Sequence, residues 1–281
     1  MMKSIHKKAV ILTVFLLIVL IFATFFDYQI AHSLYNKQSI VSKIIDILAE
    51  LPTYLMMTLF SATLYVTRNK DGSFLSAFSA VLGIISMIFF GFLTGYTLLF
   101  NMNLYSTPLI YASAIGVCVC ALILSRIAAD KSMVTIRKIS KIGLLSFFST
   151  VAIILVLHFC FERIPYIRID NSINIYTPWY QFVFLPDVLS YEVRTFPSLT
   201  MGIASMTFMM NQILEVVVKY QQKKLILMII TLSWIFIVGI SQIIMGEAYL
   251  SDVVFSILIG MLMIAIHYLL IFKRKSKKEK K

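Results

Sequence analysis

The sequence predicts an all-α bundle of about eight membrane-spanning helices, and three observations support this. Of the 281 residues, 60% are hydrophobic and only 14% are charged, whereas soluble domains carry about a quarter charged residues. No charged residue occurs in residues 72–125, an interval long enough for two crossings of about 20 residues each. Lysine and arginine cluster in alternate hydrophilic segments. We therefore expect a polytopic membrane protein, and a typical soluble protein is excluded.

Apolar runs define the predicted spans and their topology. The runs cover residues 9–26, 51–67, 74–100, 108–128, 142–161, 197–218, 225–245 and 252–272. An even number of spans leaves both termini on one side, and the enrichment of lysine and arginine in cytoplasmic loops places that side inside. On this topology, twenty basic residues lie inside and five outside. We expect an integral plasma-membrane protein with cytoplasmic termini. Its many isoleucines and lysines and few glycines suggest a bacterial source.

The hydrophilic segments give two further predictions. Residues 27–50 carry apolar side chains at helical spacing, which predicts an amphipathic helix on the outer surface; an ordinary connector is the alternative. Residues 273–281 form a polybasic tail directly after a span. Attraction to anionic lipid of the inner leaflet explains such a tail, so no nucleic-acid partner is expected.

The chain shows no sign of a second domain or of a metal site. Its three cysteines lie inside apolar runs, which excludes a disulfide framework and a zinc site. Internal repeats and linkers are missing from the sequence, so we predict one membrane domain over residues 1–281. Residues 1–141 would hold the N-terminal spans, residues 142–272 a motif-bearing core, and residues 273–281 the cytoplasmic tail.

Polar residues that could carry chemistry concentrate on the predicted outer face. They are His158, Arg163, Arg168, Arg194, Ser198, Glu247 and Asp252. Three arginines in one loop could hold a phosphate group through charge-assisted hydrogen bonds. The alternative is that these charges are simply solvated, because the same loop also carries four acidic residues.

Several stretches resemble the signatures of the type 2 phosphatidic acid phosphatase family. Residues 195–205 read TFPSLTMGIAS and residues 241–260 read SQIIMGEAYLSDVVFSILIG; they resemble the second and third signatures, SFPSGHT and SR-x-x-x-G-x-H-x-x-x-D-V-x-x-G. HFCFERIP at residues 158–165 occupies the place of the first signature, K-x-x-x-x-x-x-R-P, and YTPWY at residues 176–180 matches an element of some bacterial members. The resemblance implies a six-helix core preceded by two further spans.

The resemblance also implies a mechanism, from which this chain departs. In the family, the third-signature histidine attacks phosphorus and is held by a neighbouring aspartate. The second-signature histidine protonates the leaving oxygen, and lysine and arginine bind the phosphoryl oxygens. Such a route needs a neutral imidazole nucleophile and a second titratable group. The chain keeps Ser198 and Asp252 at matching positions. The changed positions are Ala248 for the nucleophile, Thr200 for the general acid, Leu199 for the glycine, Gln242 for the third-signature arginine, His158 for the lysine and Pro165 for the first-signature arginine.

These departures favour a catalytically degenerate relative that binds a lipid phosphate or polyprenyl phosphate at the outer leaflet, without a cofactor or metal. Its phosphate-binding residues would be Arg163, Arg168, Arg194, Ser198 and Gln242. One alternative is an active lipid phosphate or polyprenyl diphosphate phosphatase in which Glu247 or His158 replaces the nucleophile. Glu247 lies one residue from the vacant position, about 100° around a helix axis. The other alternative is a lipid transporter or an accessory subunit with a protein partner.

Overall fold

A computed structural model describes residues 2–68, 74–102, 104, 106–161, 163–169, 176–182, 195–212 and 221–278. Every regular element within these ranges is helical. The helices are α1 (Met2–Leu34), α2 (Ile40–Leu48), α3 (Leu51–Val66), α4 (Phe74–Asn101), α5 (Thr107–Cys160), α6 (Tyr166–Ile169), α7 (Leu199–Ser205), α8 (Gln221–Met245) and α9 (Leu250–Lys278), and a 3-10 turn covers Met206–Phe208. The predicted all-α class is confirmed.

Seven helical stretches of the described chain are long and apolar enough to cross a membrane. They are Val10–Leu34, Ile40–Val66, Ser76–Phe100, Thr107–Ala129, Met133–Cys160, Leu225–Met245 and Leu250–Phe272. A bundle of this kind satisfies every backbone polar group within its own helices, as the bilayer requires. The sixth predicted span, residues 197–218, is helical from Leu199 to Gln212, and its remainder lies outside the described residues.

The predicted boundary of the first span at residue 26 is wrong. Helix α1 continues to Leu34, and Asp27 is a buried residue inside it. A charged side chain in an apolar run is costly unless it has a partner, and the partner of Asp27 lies far along the chain. The single surface helix predicted for residues 27–50 is also wrong, because a turn at residues 35–39 separates α1 from α2. Helix α3 then begins with a proline in its first turn, where proline is tolerated.

The predicted inner loop between the fourth and fifth spans is absent from the described chain. Helix α5 instead runs for 54 residues without interruption. The Ser125 hydroxyl donates to the Leu59 carbonyl at 3.3 Å, and a Cβ on Gly143 would lie 2.3 Å from the Phe60 ring. Residues 125 and 143 would be about 27 Å apart in a straight helix, yet both contact adjacent residues of α3. Helix α5 therefore bends between these residues. The two predicted spans correspond to the two parts of this one helix.

The chain divides into two compact units. The first contains Met1–Asp46, Thr150–Ser205 and Phe236–Leu262, and the second contains Ile47–Ser149, Met206–Ile235 and Met263–Lys281. In the second unit, an aromatic core includes Phe90 and Phe147, with ring centroids 4.9 Å apart. In the first unit, Tyr166 and Tyr249 pack around Ala31. The described residues of all the signature-like stretches belong to the first unit, while the prediction of one membrane domain stays a prediction.

Candidate functional site

Arg163 is the centre of a buried polar network in the first unit. It follows α5 in the short segment before α6, and it is only 2% exposed. Its Nη1 donates to Ser251 Oγ at 2.7 Å and to Asp252 Oδ1, and its Nη2 donates to Asp27 Oδ2 at 2.8 Å and to the Tyr176 hydroxyl at 3.1 Å. One guanidinium thus connects α1 with the first turn of α9.

Further hydrogen bonds complete the coordination of both carboxylates. Asp27 accepts from the Ser251 backbone N–H at 3.0 Å and from its hydroxyl, and Asp252 accepts from the Tyr249 backbone N–H at 2.9 Å. The guanidinium carbon of Arg163 also lies 3.9 Å from the centroid of the Tyr249 ring, a cation–π geometry. Buried charges require such partners, and here each carboxylate has hydrogen bonds to both oxygens.

The two aspartates also fix the protonation state of Arg163. Burial by itself would lower the pKa of this guanidinium, but the charges of Asp252 and Asp27 act in the opposite direction and raise the pKa above its ordinary value. Arg163 therefore stays positive. Its charge faces two carboxylates rather than one, so it adds no excess positive charge that could attract a phosphate group.

Neither of the two positions that hold a catalytic histidine in the family carries a histidine in this chain. Ala248, at the nucleophile position, is fully buried. Ser198 precedes α7, and its hydroxyl accepts from the Met201 backbone N–H at 3.3 Å, which is the arrangement of a helix N-cap. Thr200 is half-buried in the first turn of α7, and its hydroxyl is too weak an acid to replace an imidazole. The retained serine therefore has a structural role in this chain.

His158, a predicted substitute nucleophile, lies in the last turn of α5 and is 3% exposed. Its Nε2 lies 2.6 Å from the Pro197 carbonyl oxygen. A carbonyl oxygen only accepts hydrogen bonds, so Nε2 carries the proton and donates. This nitrogen connects α5 to the segment before α7 and has no lone pair to offer a substrate.

Glu247, the other predicted substitute, belongs to a second polar cluster of the same unit. The side-chain amide of Gln242 donates to the Asp46 carboxylate and also bonds to Glu247. Glu247 keeps an exposed surface. Partial burial removes water from its carboxyl group and raises its pKa to about 7. The nearby charge of Asp46 also raises this pKa, whereas the hydrogen bond with Gln242 lowers it. The side chain of Gln242 therefore forms hydrogen bonds with the carboxyl groups of both Asp46 and Glu247.

The raised pKa of Glu247 predicts a pH dependence of stability. The folded chain keeps a proton on Glu247 up to about pH 7, whereas the ordinary value is 4.5, so stability contributed by this group is complete at low pH and falls as the pH rises through about 7. Solvent screening keeps the effect small. Glu247→Gln should therefore flatten the dependence of melting temperature on pH between about 5 and 8. A variant that stays as pH-sensitive as the parent would contradict the assignment.

The remaining predicted site residues have other locations. Arg168 is exposed in α6, and Arg194 lies outside the described residues. Within the described ranges, no group of three or more histidine, cysteine, aspartate or glutamate side chains is placed to hold a metal ion. Of the five predicted phosphate ligands, Arg163, Ser198 and Gln242 are thus occupied by partners within the protein.

Sequence reasoning missed Asp27, Asp46, Tyr176, Tyr249 and Ser251. A usable signal existed for Asp27, since it is a single carboxylate in an apolar stretch that continues beyond it, and such residues have a partner or a role. Tyr176 begins the YTPWY element, but its hydrogen bond with Arg163 could not be predicted from that match. Asp46 carried no comparable signal because it lies in a short amphipathic segment.

The helices and the buried network define a polytopic helical membrane protein of the kind that the signatures suggested. Residues 142–276 match the family model of the PAP2 superfamily. This match supports membership of the superfamily and agrees with the resemblance of the signature-like stretches. No curated protein and no solved structure matches the chain. Asp27 and Asp46 both lie outside the matched segment, so each polar cluster takes a carboxylate from the N-terminal part of the chain.

Proposed function

We propose that this chain is a catalytically inactive member of the PAP2 superfamily that binds a lipid phosphate or polyprenyl phosphate without hydrolysing it. The observation that carries the proposal is the fully buried Ala248 at the nucleophile position. The side chain of Ala248 is a methyl group, which has no lone pair with which to attack phosphorus.

The state of Asp252 supports inactivity independently. In the family, the resemblance assigns this aspartate to holding the nucleophilic histidine. Here Oδ1 accepts from Arg163 and Oδ2 accepts from the Tyr249 backbone N–H. Both oxygens of this carboxylate are therefore committed to hydrogen bonds within the protein. Asp252 is therefore unsuited to activate a nucleophile supplied from elsewhere.

The charge balance changes which residues we assign to head-group binding. Arg163 is neutralised by Asp27 and Asp252, so we propose it as a positioning residue. The exposed Arg168 and the predicted outer Arg194 are the better candidates, because an accessible guanidinium can form paired hydrogen bonds with phosphate. Tyr180 and Phe182 are exposed at 56% and 72%, and aromatic side chains of this kind are enriched at membrane–water interfaces.

The proposed location follows from the distribution of basic residues. Cytoplasmic loops of membrane proteins carry an excess of lysine and arginine, which supports a plasma-membrane protein with both termini inside and Arg168 outside. Residues 273–281 would then contact anionic lipid of the inner leaflet. A protein partner or a transport role remains an alternative that no described contact favours over lipid binding.

The test is phosphate release from a panel of lipid phosphates and polyprenyl diphosphates by purified protein in detergent. We expect no release above that of the Asp252→Ala variant, while an active superfamily enzyme serves as the positive control. In a parallel binding assay, Arg168→Ala/Arg194→Ala should weaken lipid-phosphate binding by about tenfold or more. The matched control is Lys37→Ala/Lys43→Ala, which removes the same charge from the same predicted face. Equal affinities of the two variants would overturn the head-group assignment.

An active enzyme is the second candidate, and the Glu247 carboxyl favours it. A group with a pKa of about 7 is well suited to proton transfer near neutral pH. Under this candidate, the parent protein would release phosphate and Glu247→Gln would abolish the release without changing the amount of folded protein. Release that persists in Glu247→Gln would exclude this role for the residue.

A further inference from the structure

We propose that Asp46, Gln242 and Glu247 form a pH-sensitive latch, which holds helix α2 against the end of α8 while Glu247 is protonated and releases it when Glu247 is charged. Asp46 lies on α2, Gln242 lies in the last turn of α8, and Glu247 lies in the turn before α9. All three belong to the first unit. The latch is independent of the proposed function, because it requires no lipid ligand.

Helix α2 is attached to α8 by polar contacts rather than by apolar burial. The Ser241 hydroxyl donates to the Ser42 carbonyl oxygen at 2.9 Å, and one turn further along α2 the Asp46 carboxylate accepts from the Gln242 amide. Ser42 is 2% exposed. The exposed side chains of α2 include the apolar residues Ile40, Val41 and Ile44. Because each hydrogen bond adds little net stability, a change in one carboxyl group can decide whether α2 stays attached.

The two carboxyl groups of the latch share one side-chain amide. Gln242 is 3% exposed, and it forms hydrogen bonds with both Asp46 and Glu247. Within the described ranges, neither carboxyl group forms an ion pair with a lysine or arginine. Two negative charges next to one uncharged amide repel each other. The arrangement is therefore favoured when the pair holds one proton and is destabilised when it holds none.

The groups around Glu247 support proton release near neutral pH. The Tyr35 ring packs against Gly246, and the Ile167 N–H donates to the Gly246 carbonyl oxygen at 2.9 Å, so the turn before α2 and helix α6 both lie beside Glu247. The titratable groups of the neighbouring elements are Tyr35 and Lys37 of this turn, Lys43 and Asp46 of α2, Tyr166 and Arg168 of α6, and Tyr249 and Asp252 of α9. Partial burial and the charge of Asp46 raise the pKa of Glu247 to about 7, although the Gln242 hydrogen bond lowers it.

The direction of the pH effect follows from this raised pKa. When α2 is released, the Glu247 carboxyl group would return towards its ordinary pKa of 4.5. The ratio of released to attached α2 then rises with pH between the two pKa values, by at most about tenfold per pH unit, and levels off above about pH 7. On the predicted topology the latch lies on the outer face, so it would respond to the pH outside the cytoplasm.

The experiment measures the accessibility of a cysteine placed between α2 and α8. Ser42→Cys is made in the full-length protein with its three native cysteines replaced by alanine, and its rate of modification by a charged methanethiosulfonate reagent is measured from about pH 5 to 8. Gln38→Cys, at an exposed position before α2, corrects for the ionisation of the thiol itself. We expect the ratio of the two rates to rise about tenfold or more between about pH 5 and 7. Glu247→Gln should keep this ratio low at every pH.

Matched variants separate the latch from general loosening of the protein. Glu192→Gln makes the same change of charge in the predicted outer loop and should leave the pH profile unchanged. Ser256→Cys, which is fully buried in α9 of the same unit, should stay unreactive. Reactivity of Ser256→Cys that rises together with that of Ser42→Cys would overturn the latch. A ratio that does not depend on pH, or that depends on pH equally in Glu247→Gln, would overturn it as well.

Two substitute variants keep the test decisive if a first choice does not fold, as judged by its melting temperature. Ser241→Cys, at a position that is 1% exposed, reports on the same contact from α8. Asp46→Asn removes one of the two charges, so its rate ratio must change less with pH than that of the parent. An equal change in Asp46→Asn would contradict the proposed repulsion between the two carboxyl groups.

Discussion

Replacing Arg163 by methionine should lower the free energy of unfolding by about 3–5 kcal/mol, the cost of removing one partner from a buried ion pair. The substitution would leave Asp27 and Asp252, exposed at 1% and 0%, without their shared cation. Each would then be a buried charge held only by neutral donors. Chemical or thermal unfolding of the purified protein in mild detergent measures the effect.

Two further variants isolate the role of the charge. Arg168→Met makes the same substitution at an exposed arginine, and we expect it to change stability by no more than about 0.5 kcal/mol. Arg163→Met combined with Asp27→Asn and Asp252→Asn removes all three charges and should recover a large part of the loss, since neutral groups cost less to bury. If Arg163→Met were as stable as Arg168→Met, the network would not hold the first unit together.

Replacing Gly246 by valine should destabilise the protein by about 2–4 kcal/mol. Gly246 has a φ of +72°, a conformation that a β-branched side chain strongly disfavours. An added Cβ would lie 2.8 Å from the Tyr35 ring and 3.0 Å from the Ile167 backbone nitrogen. The Gly246 carbonyl also accepts from the Ile167 N–H at 2.9 Å, so the turn has little freedom to adjust.

Gly116→Val is the matched control for this substitution. A Cβ at Gly116 would meet no described atom within 4 Å, and valine has a higher helix propensity than glycine. We therefore expect the control to be neutral or slightly stabilising in the same unfolding assay. Equal melting temperatures for Gly246→Val and Gly116→Val would show that the turn tolerates another backbone conformation.

Hydropathy predicted the helical fold well, because a bilayer forces the backbone of each span to satisfy its own hydrogen bonds. The wrong element boundaries arose where they were predicted from local hydropathy or local charge alone. The end of α1 was placed before Asp27, although a partner elsewhere in the chain allows the charge to be buried. The loop within α5 was predicted from its charges, but residues 117–142 contain neither glycine nor proline, so nothing in the backbone interrupts the helix.

The candidate site could be predicted only in part. The signature-like stretches identified Ser198, Ala248 and Asp252, because fixed spacing along the chain is visible in the sequence. Their partners were not visible, since the Asp27–Arg163 pair joins residues 136 positions apart. The contact of His158 with a proline carbonyl involves the backbone, which any residue supplies, so no side-chain pattern could have indicated it.

The pairing of Asp27 with Arg163 also has a consequence for biosynthesis. The two residues are 136 positions apart, and ribosomes add about 5–20 residues per second, so Asp27 is made roughly 7–27 s before its partner. During that interval the newly inserted first helix carries a carboxyl group without its cation, at a cost of about 2.5–3.5 kcal/mol if it reaches the bilayer centre. The Asp27 carboxyl group can therefore form its ion pair only after more than half of the chain has been synthesised.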